Sequence, residues 1–419
     1  MTSVADEAWF TDPALRRVLA LLNAEGGEGR VAGGAVRNSL MGLPVADVDI
    51  ATTLTPDVVV ARATAAGVRA VPTGIEHGTV TLVADHKPFE VTTLRRDVAT
   101  DGRRAEVAFG TDWQEDAERR DLTINALYAA ADGTVIDLVG GLRDIETRTV
   151  RFIGDADRRI AEDHLRILRF FRFFALYGGG RPDAEGLRAC ARAKGSLAKL
   201  SAERVWSETK KLLSAPDPGR ALLWMRQTGV LTEILPETEK WGIDAIPGLV
   251  SAEQAFGWKP DPLLRLAAIV PRDEERLKAL ARRLRLSRAE AHFLDAWAGA
   301  PEIGGRLTDA VFEQLLYRHG PQGLSARLRL MLARARERAE AEPEALALVG
   351  LCGRLLEKAG GWQRPAFPLS GADVIAAGVP AGPAVGRLLA EVEDAWLAGN
   401  FREDRASLLA RLKALADKS

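Results

Sequence analysis

Apolar positions along this chain change their spacing once, and the change divides it into two kinds of structure. Up to about residue 150, helical and alternating patterns are mixed. A helix is expected from Asp12-Pro13, a short strand at Arg30-Val31-Ala32, and a tight turn at Gly33-Gly34 opening a helix from Ala35 to about Met41. A strand carrying Asp47 and Asp49 follows, with Val48 and Ile50 directed into the core, and then a helix over 56–66. Gly78 to Ala84 and Pro88 to Leu94 alternate β-branched and other residues, as paired strands joined at Asp85-His86-Lys87 would. From about Ile160 onward, apolar residues recur at three- and four-residue spacing, short loops carry Pro or Gly, and strand alternation disappears. Breaks fall near Gly154, Ala215-Pro216-Asp217-Pro218 and Ala300-Pro301, with no internal repeat and no low-complexity tract. The pattern predicts an α/β half followed by an entirely helical remainder.

Composition narrows this without redirecting it. At 419 residues the chain is too long for one core, and two to four domains are expected. A formal net charge of -1 with 27% charged residues describes an ordinary soluble protein, so any nucleic-acid surface must be local. Cys190 and Cys352 lie far apart and no CxxC occurs, which fits a reducing cytoplasm and argues against a disulfide framework or a cysteine zinc site. The first residues lack a basic region followed by an apolar core, and no apolar run reaches the eighteen or so residues of a membrane span. His77, His86, His164, His292 and His319 form no spaced metal motif.

Candidate chemistry begins with Asp47 and Asp49. Residues two apart in an extended segment point the same way, so both carboxylates project from one face and offer a divalent-cation site. Upstream, the amides opening the helix after Gly33-Gly34 can receive phosphate. Taken singly, a glycine pair before a helix is more often only a turn, and two strand-end aspartates are usually solvated. Together their spacing resembles the DNA polymerase β-like nucleotidyltransferases. Glu90 is either a third acid of this cluster or a strand-edge partner of Arg95, and Asp101-Gly102-Arg103-Arg104 reads as a mobile cationic loop or a solvated turn. In Arg119-Arg120-Asp121-Leu122-Thr123-Ile124-Asn125-Ala126, Asp121 is a possible helix N-cap, and Arg120 suits a phosphate better than an ammonium would.

The segment Glu162 to Arg172 reads as the opening of a helix on which Asp163, Arg166, Arg169 and Arg172 recur every three residues beside an apolar row of Leu165, Leu168 and Phe171. One reading is an intrahelical Asp163–Arg166 ion pair. The other is base selection: cytosine and adenine each present an amino donor beside an unprotonated ring nitrogen, whereas uracil and guanine present a carbonyl beside a ring N–H. A carboxylate accepts and a guanidinium donates, so Asp163 and Arg166 facing the base would take C or A and leave buried groups unpaired against U or G.

Over roughly residues 30 to 210 the order of these motifs, with Glu90-Val91-Thr92-Thr93, Asp137 to Asp144 and Ser201-Ala202-Glu203-Arg204-Val205, resembles the class II tRNA nucleotidyltransferases, the CCA-adding enzymes, within the tRNA nucleotidyltransferase/poly(A) polymerase family. The tail segments Gly371-Ala372-Asp373 and Pro380-Ala381-Gly382-Pro383 resemble the family's C-terminal pattern more weakly. The resemblance implies an α/β nucleotidyltransferase head with a DNA polymerase β-like mixed sheet over 1–150, a helical neck over 151–215, a helical body over 216–300 and a helical tail over 301–419. It implies Mg²⁺ at Asp47 and Asp49 with Glu90 as third carboxylate, nucleotide contacts from Gly34, Arg37 and Arg120, selection by Asp163 and Arg166, and Arg169 and Arg172 near the phosphates. Asp144 would lie near the head–neck hinge. Asn38 stands where the family usually has aspartate, and Ala105 where a proline is common.

The implied reaction is stepwise addition of C, C and A to the 3′ end of tRNA from CTP and ATP, without a nucleic-acid template and with release of pyrophosphate. CC-only or A-only addition, poly(A) synthesis and a catalytically silent RNA-binding scaffold are the alternatives. The loop at 101–104 favours the full reaction over CC-only addition, and the neutral end of the chain speaks against a poly(A) polymerase. The expected partner is tRNA, held through its backbone by the helical half, with Arg282-Arg283 and Arg285, or Arg327, Arg329, Arg334 and Arg336, as candidate patches where exposed helix faces are the ordinary alternative. Neither a membrane nor an obligatory protein partner is implied.

Overall fold

The computed structural model describes residues 2–101, 104–238, 242–305 and 307–417. Its contacts divide the chain into two units, residues 1–239 and 240–419.

In the first unit the elements run α1 (Pro13–Leu22), β1 (Gly29–Ala32), α2 (Gly34–Leu40), β2 (Asp49–Thr52), α3 (Pro56–Ala65), β3 (Arg69–Gly74), β4 (Thr79–Ala84), β5 (Lys87–Thr93), β6 (Arg95–Asp101), β7 (Arg104–Phe109), α4 (Trp113–Glu118), β8 (Leu127–Ala129), β9 (Val135–Asp137) and α5 (Gly141–Glu146). Helices α6 (Ala156–Glu162), α7 (Leu165–Tyr177), α8 (Ala184–Ala193), α9 (Ala202–Leu213), α10 (Gly219–Gln227) and α11 (Val230–Ile234) complete it. Local chemistry accounts for the starts. Asp12 caps α1 by accepting the Ala14 amide, with Pro13 at the first helical position where its missing N–H costs nothing. At the β4–β5 hairpin, Asp85 and His86 both have positive φ, the conformation a two-residue turn needs to match strand twist.

Seven strands form one mixed sheet in the order β3-β4-β5-β2-β1-β8-β9. Strands β2 and β5 are parallel and the other pairs antiparallel, so β2 and β5 are joined by a crossover through α3, β3 and β4. Helices α1 and α3 pack on this sheet, while Ala32, Ala51, Leu94, Trp113 and Tyr128 build a separate core cluster that includes α4. Strands β6 and β7 form a two-stranded hairpin in which Asp101 faces Arg104 and Thr100 faces Ala105; Gly102 and Arg103 lie outside the described residues.

The second unit is helical among its described residues: α12 (Ala245–Phe256), α13 (Pro262–Ile269), α14 (Glu274–Arg283), α15 (Arg288–Gly299), α16 (Asp309–His319), α17 (Pro321–Arg338), α18 (Pro343–Gly360), α19 (Gly371–Ala376), α20 (Pro383–Ala398) and α21 (Arg405–Ala416). Helix α17 packs against α12, α15 and α18. Its approach to α15 depends on Gly323, where a Cβ would fall 2.0 Å from the Ala296 carbonyl oxygen. A fully buried ion pair of Arg265 and Glu253 at 2.5 Å ties α13 to α12, and Tyr317, Val374, Trp396 and Leu408 anchor a C-terminal apolar core.

Two local expectations are corrected. Strand β2 starts at Asp49, so Asp47 and Val48 precede it, and Val48 is only half-buried because no strand partner holds it against the core. The helix expected to open at Glu162 is two helices, α6 ending at Glu162 and α7 beginning at Leu165, with Asp163 extended between them (φ -151°, ψ 109°).

Candidate active site

Antiparallel pairing of β1 with β2 sets Ala32 opposite Asp49, which brings the Gly33-Gly34 turn at the end of one strand to the acidic start of the other. Parallel pairing of β2 with β5 sets Asp49 beside Glu90. Asp49 and Glu90 therefore lie side by side at one sheet end although forty residues of chain separate them, with Asp47 just before the strand. Desolvation, then Glu90 and then Asp47, raise the Asp49 carboxyl above its ordinary value and outweigh the opposing Arg120 guanidinium, a sign that negative charge is gathered there. Among the described residues no group of three His, Cys, Asp or Glu side chains is arranged to hold a metal ion. Asp47 and Asp49 nevertheless fit magnesium, because that ion usually takes one or two carboxylates and completes its octahedron with water and substrate phosphate oxygens.

Next to Asp49 opens a cleft of about 480 Å³ lined by six arginines and three aspartates, together with Ala32, Gly33, Gly34, Asn125 and Phe173. Gly33 turns the chain into α2 with φ 66° and ψ -106°, a backbone state closed to L side chains, and a Cβ there would lie 3.1 Å from the Asn125 carbonyl oxygen. Gly34 is the first residue of α2, so its amide has no partner within the helix.

Arg37 is buried against this cleft with neutral partners. Its Nη1 donates to Asn125 Oδ1 at 2.5 Å, Nη2 to the Tyr177 hydroxyl at 2.8 Å, and Nε and Nη2 to Asn38 Oδ1 at 3.1 and 2.9 Å. The guanidinium lies over the Tyr177 ring, 4.1 Å from its centroid. Burial lowers its pKa, with Tyr177 opposing, as befits a cation that an incoming anion would stabilise. Asn38 brings no charge, yet its amide nitrogen donates to the Pro44 carbonyl at 2.9 Å and ties Arg37 to the loop before the acidic pair.

Arg120 owes its place to a residue that sequence reading passed over. Asp116, 1% exposed, accepts from Arg119 Nε and Nη2 (2.9 and 2.5 Å), Arg120 Nε and Nη2 (3.2 and 3.0 Å) and the Tyr128 hydroxyl (2.7 Å). Burial opposes ionisation of Asp116, but the Arg120 and Arg119 guanidinium groups outweigh it and hold the carboxyl below its usual range. Asp121 does not cap an α-helix: a short 3-10 turn (Thr123–Asn125) follows, and the buried carboxylate accepts from Leu122 N (2.9 Å), Asn125 Nδ2 (3.1 Å) and Arg169 Nε (2.5 Å). A polar chain thus runs from Arg169 through Asp121 and Asn125 to Arg37. Spacing in the sequence marked the arginines; only their shared acceptors reveal Asp116 and Asn125.

On α7, Arg166, Arg169 and Arg172 all line the cleft, as does Asp163 at the helix entry. Of the two readings of Asp163 and Arg166, the structure does not form the intrahelical ion pair. Asp163 accepts the Leu165 amide at 3.0 Å and Arg204 Nη2 of α9 at 2.7 Å, because the break at this residue turns its side chain toward α9. Arg166 instead donates to Glu162 Oε2 (2.6 Å), the Arg159 carbonyl (3.0 Å) and the Arg119 carbonyl (3.1 Å), using three of its five N–H groups. Arg172 comes within 3.0 Å of Glu208 and 4.5 Å of the Phe173 ring centroid. Asp144 lies apart from the cleft lining, buried and clasped by Thr123 Oγ1 (2.5 Å) and Arg151 Nη2 (2.6 Å). Asp47 and Glu90 are exposed at the sheet end and not in the cleft wall itself.

Comparison with known proteins gives one answer. A family model described as the poly A polymerase head domain matches residues 29–151, and a second, described as a probable RNA and SrmB-binding site of polymerase A, matches 182–241. The chain is 35% identical over 419 aligned residues to CCA tRNA nucleotidyltransferase 1, mitochondrial, of Mus musculus, covering 97% of this chain and 91% of that protein. The CCA-adding enzyme of Geobacillus thermodenitrificans is 40% identical over 228 residues, 54% of this chain and 55% of that protein. Among solved structures, the Bacillus stearothermophilus CCA-adding enzyme in complex with CTP matches 97% of each chain at 27% identity with a TM-score of 0.69.

Proposed function

This chain belongs to the family of CCA tRNA nucleotidyltransferases, and from that premise we propose that it adds C, C and then A to the 3′ end of tRNA, using CTP and ATP and releasing pyrophosphate. The observation that carries this reading is the convergence, in one cleft, of Asp49, the Gly33-Gly34 turn, Arg37, Arg120 and the Asp163–Arg172 stripe. The arginines lining it offer N–H donors to a triphosphate, and Arg37 carries hydrogen-bond partners that bring no negative charge.

Each residue then has a task its surroundings support. The Gly34 amide and the buried, carboxylate-free Arg37 hold triphosphate oxygens, and Arg120, fixed by Asp116, reaches phosphate or ribose. Asp47 and Asp49 would hold Mg²⁺, with Glu90 beside them on the neighbouring strand. The chemistry that Mg²⁺ would supply there, as one ion or as two, is a lowered pKa at the attacking 3′-hydroxyl and neutralisation of the departing pyrophosphate. Arg169 and Arg172 stand along the same wall as cations for the phosphates.

Base choice rests on Asp163 and Arg166. Although their side chains do not bind each other, each is oriented from outside, Asp163 by Arg204 and Arg166 by Glu162 and two backbone carbonyls. Such fixed groups discriminate well, since a wrong base leaves a buried donor or acceptor unpaired at about 1–3 kcal/mol each. Two such mismatches amount to roughly 30-fold discrimination or more.

The test is transfer to tRNA that ends before the first C, with magnesium and each nucleotide offered singly and together. Two C residues followed by one A, with arrest, is the expected product. Long A tails, or arrest after CC, would replace this function with another. Asp163→Ala and Arg166→Ala should relax choice among the four nucleotides while leaving Mg²⁺ affinity close to wild type; unchanged selectivity would remove the templating role.

A further inference from the structure

Within residues 240–419 a groove of about 340 Å³ lies between the end of α12, the middle of α17 and the end of α18. At one side Phe256 and Trp258 stack on each other, 5.3 Å between centroids and 22° between planes, joined by Gly257 in the left-handed conformation that ends α12. Phe256 is 45% exposed, so one face of the pair is open to solvent. Arg329 of α17 lies over Trp258 at 5.1 Å. Its Nε is shielded from solvent without a hydrogen-bond partner, and among the described residues it forms no ion pair. On the α18 side the wall carries Gly353 and Gly360, and beside each there is open space where a Cβ would project.

These features complement each other chemically. A stacked aromatic pair with one ring exposed extends naturally to a third flat ring. A half-buried guanidinium lacking an acceptor favours an oxygen-rich ligand next to that ring. Glycines in the opposite wall leave room for a planar group to enter edge-on. A ligand that is flat at one end and oxygen-rich at the other is a nucleotide, and proteins take unpaired RNA bases in this way, by stacking them on aromatic rings and arginine planes.

We propose that this groove receives an unpaired nucleotide of the RNA substrate, its base stacked on Phe256 and a phosphate or base oxygen accepting from Arg329. Glu357, also in the wall, is placed to accept from an exocyclic amino group. The assignment rests on the tRNA reading above and adds a contact made by base stacking to the backbone contacts expected of helical surfaces. It also separates Arg329 from its neighbours Arg327, Arg334 and Arg336, which are not part of this groove.

The experiment uses the full chain and full-length tRNA lacking its 3′ end. In Phe256→Ala and Trp258→Ala the KM for tRNA should rise about ten-fold, the order expected for loss of one base stack, while kcat and the KM for CTP stay within two-fold. Phe256→Trp, which keeps a stacking face, should restore the wild-type KM. A blunt RNA duplex without unpaired bases should bind wild type and variants alike. An unchanged KM for tRNA in both alanine variants overturns the proposal, as does an equal loss on the duplex or AMP binding as tightly as tRNA. Fluorescence anisotropy with labelled tRNA tests the groove even if wild type transfers nothing, a result that would instead overturn the transferase reading.

Discussion

Replacing Asp116 by Asn tests how the cleft is assembled, because one carboxylate, 1% exposed, orients two arginines and a tyrosine. An asparagine of the same shape can still accept the Tyr128 hydroxyl on its oxygen. Its amide, however, sets a donor against one guanidinium and removes the charge that holds both. Breaking a buried ion pair by neutralising one partner costs about 3–5 kcal/mol. Arg119 and Arg120 are 18% and 23% exposed, so water can partly resolvate them, and about 3 kcal/mol is the better figure. In a unit of this size each kcal/mol moves Tm by about 2–4 °C, giving a fall of roughly 6–12 °C by calorimetry.

Activity should respond in a particular way. Arg120, proposed to reach phosphate or ribose, loses its anchor, so affinity for CTP and ATP should fall about equally, by roughly ten-fold, without a change in base preference. The pH dependence follows from the depressed Asp116 carboxyl. Its stabilisation is complete above the ordinary value of about 3.9 and is lost as pH falls through the lower folded-state value, so the Tm gap between wild type and Asp116→Asn should close on acidification. A Tm change below 2 °C at pH 7, or a gap that widens in acid, would refute the reasoning. A shift in base preference with unchanged affinity would show that Asp116 acts through Arg166 and the Arg119 carbonyl instead.

Three further outcomes are expected. Arg37→Ala should weaken CTP roughly 10- to 100-fold and CMP far less, since the proposed function gives its guanidinium to the outer phosphates; titration calorimetry across CTP, CDP and CMP that finds equal losses would place Arg37 elsewhere. Asp49→Asn should abolish magnesium binding yet leave Tm in EDTA unchanged or higher, since desolvation, Glu90 and Asp47 together outweigh Arg120 and disfavour charge at that position; a clear fall in Tm in EDTA contradicts that account. Gly323→Ala forces a methyl group against the Ala296 carbonyl and should cost about 1–3 kcal/mol or more in the helical unit while nucleotide affinity in the cleft stays at the wild-type value, measured by calorimetry and CTP titration.

The local grammar of this chain was legible without coordinates. Asp12-Pro13 opens a helix, Gly33 turns a strand into one, and Asp85-His86 closes a hairpin, because each of these decisions is made by a few neighbouring residues. The ten residues marked for nucleotide and metal chemistry came from type, spacing and the family resemblance together, and eight of them line the cleft. Side-chain partnership was not legible. Asp163 and Arg166 are three residues apart, and a continuous helix would have paired them; a helix break that no glycine or proline announces sends one to Arg204 and the other to Glu162. Strand order was equally hidden, since β2 could have paired with several partners, and only the sheet puts Asp49 between Ala32 and Glu90. Sequence determined which chemical groups exist and which short segments curl or extend, because those are near-neighbour energies. Tertiary structure decided which groups share a proton, a charge or a cavity, because burial and electrostatic pairing act across space between residues that the chain itself keeps far apart.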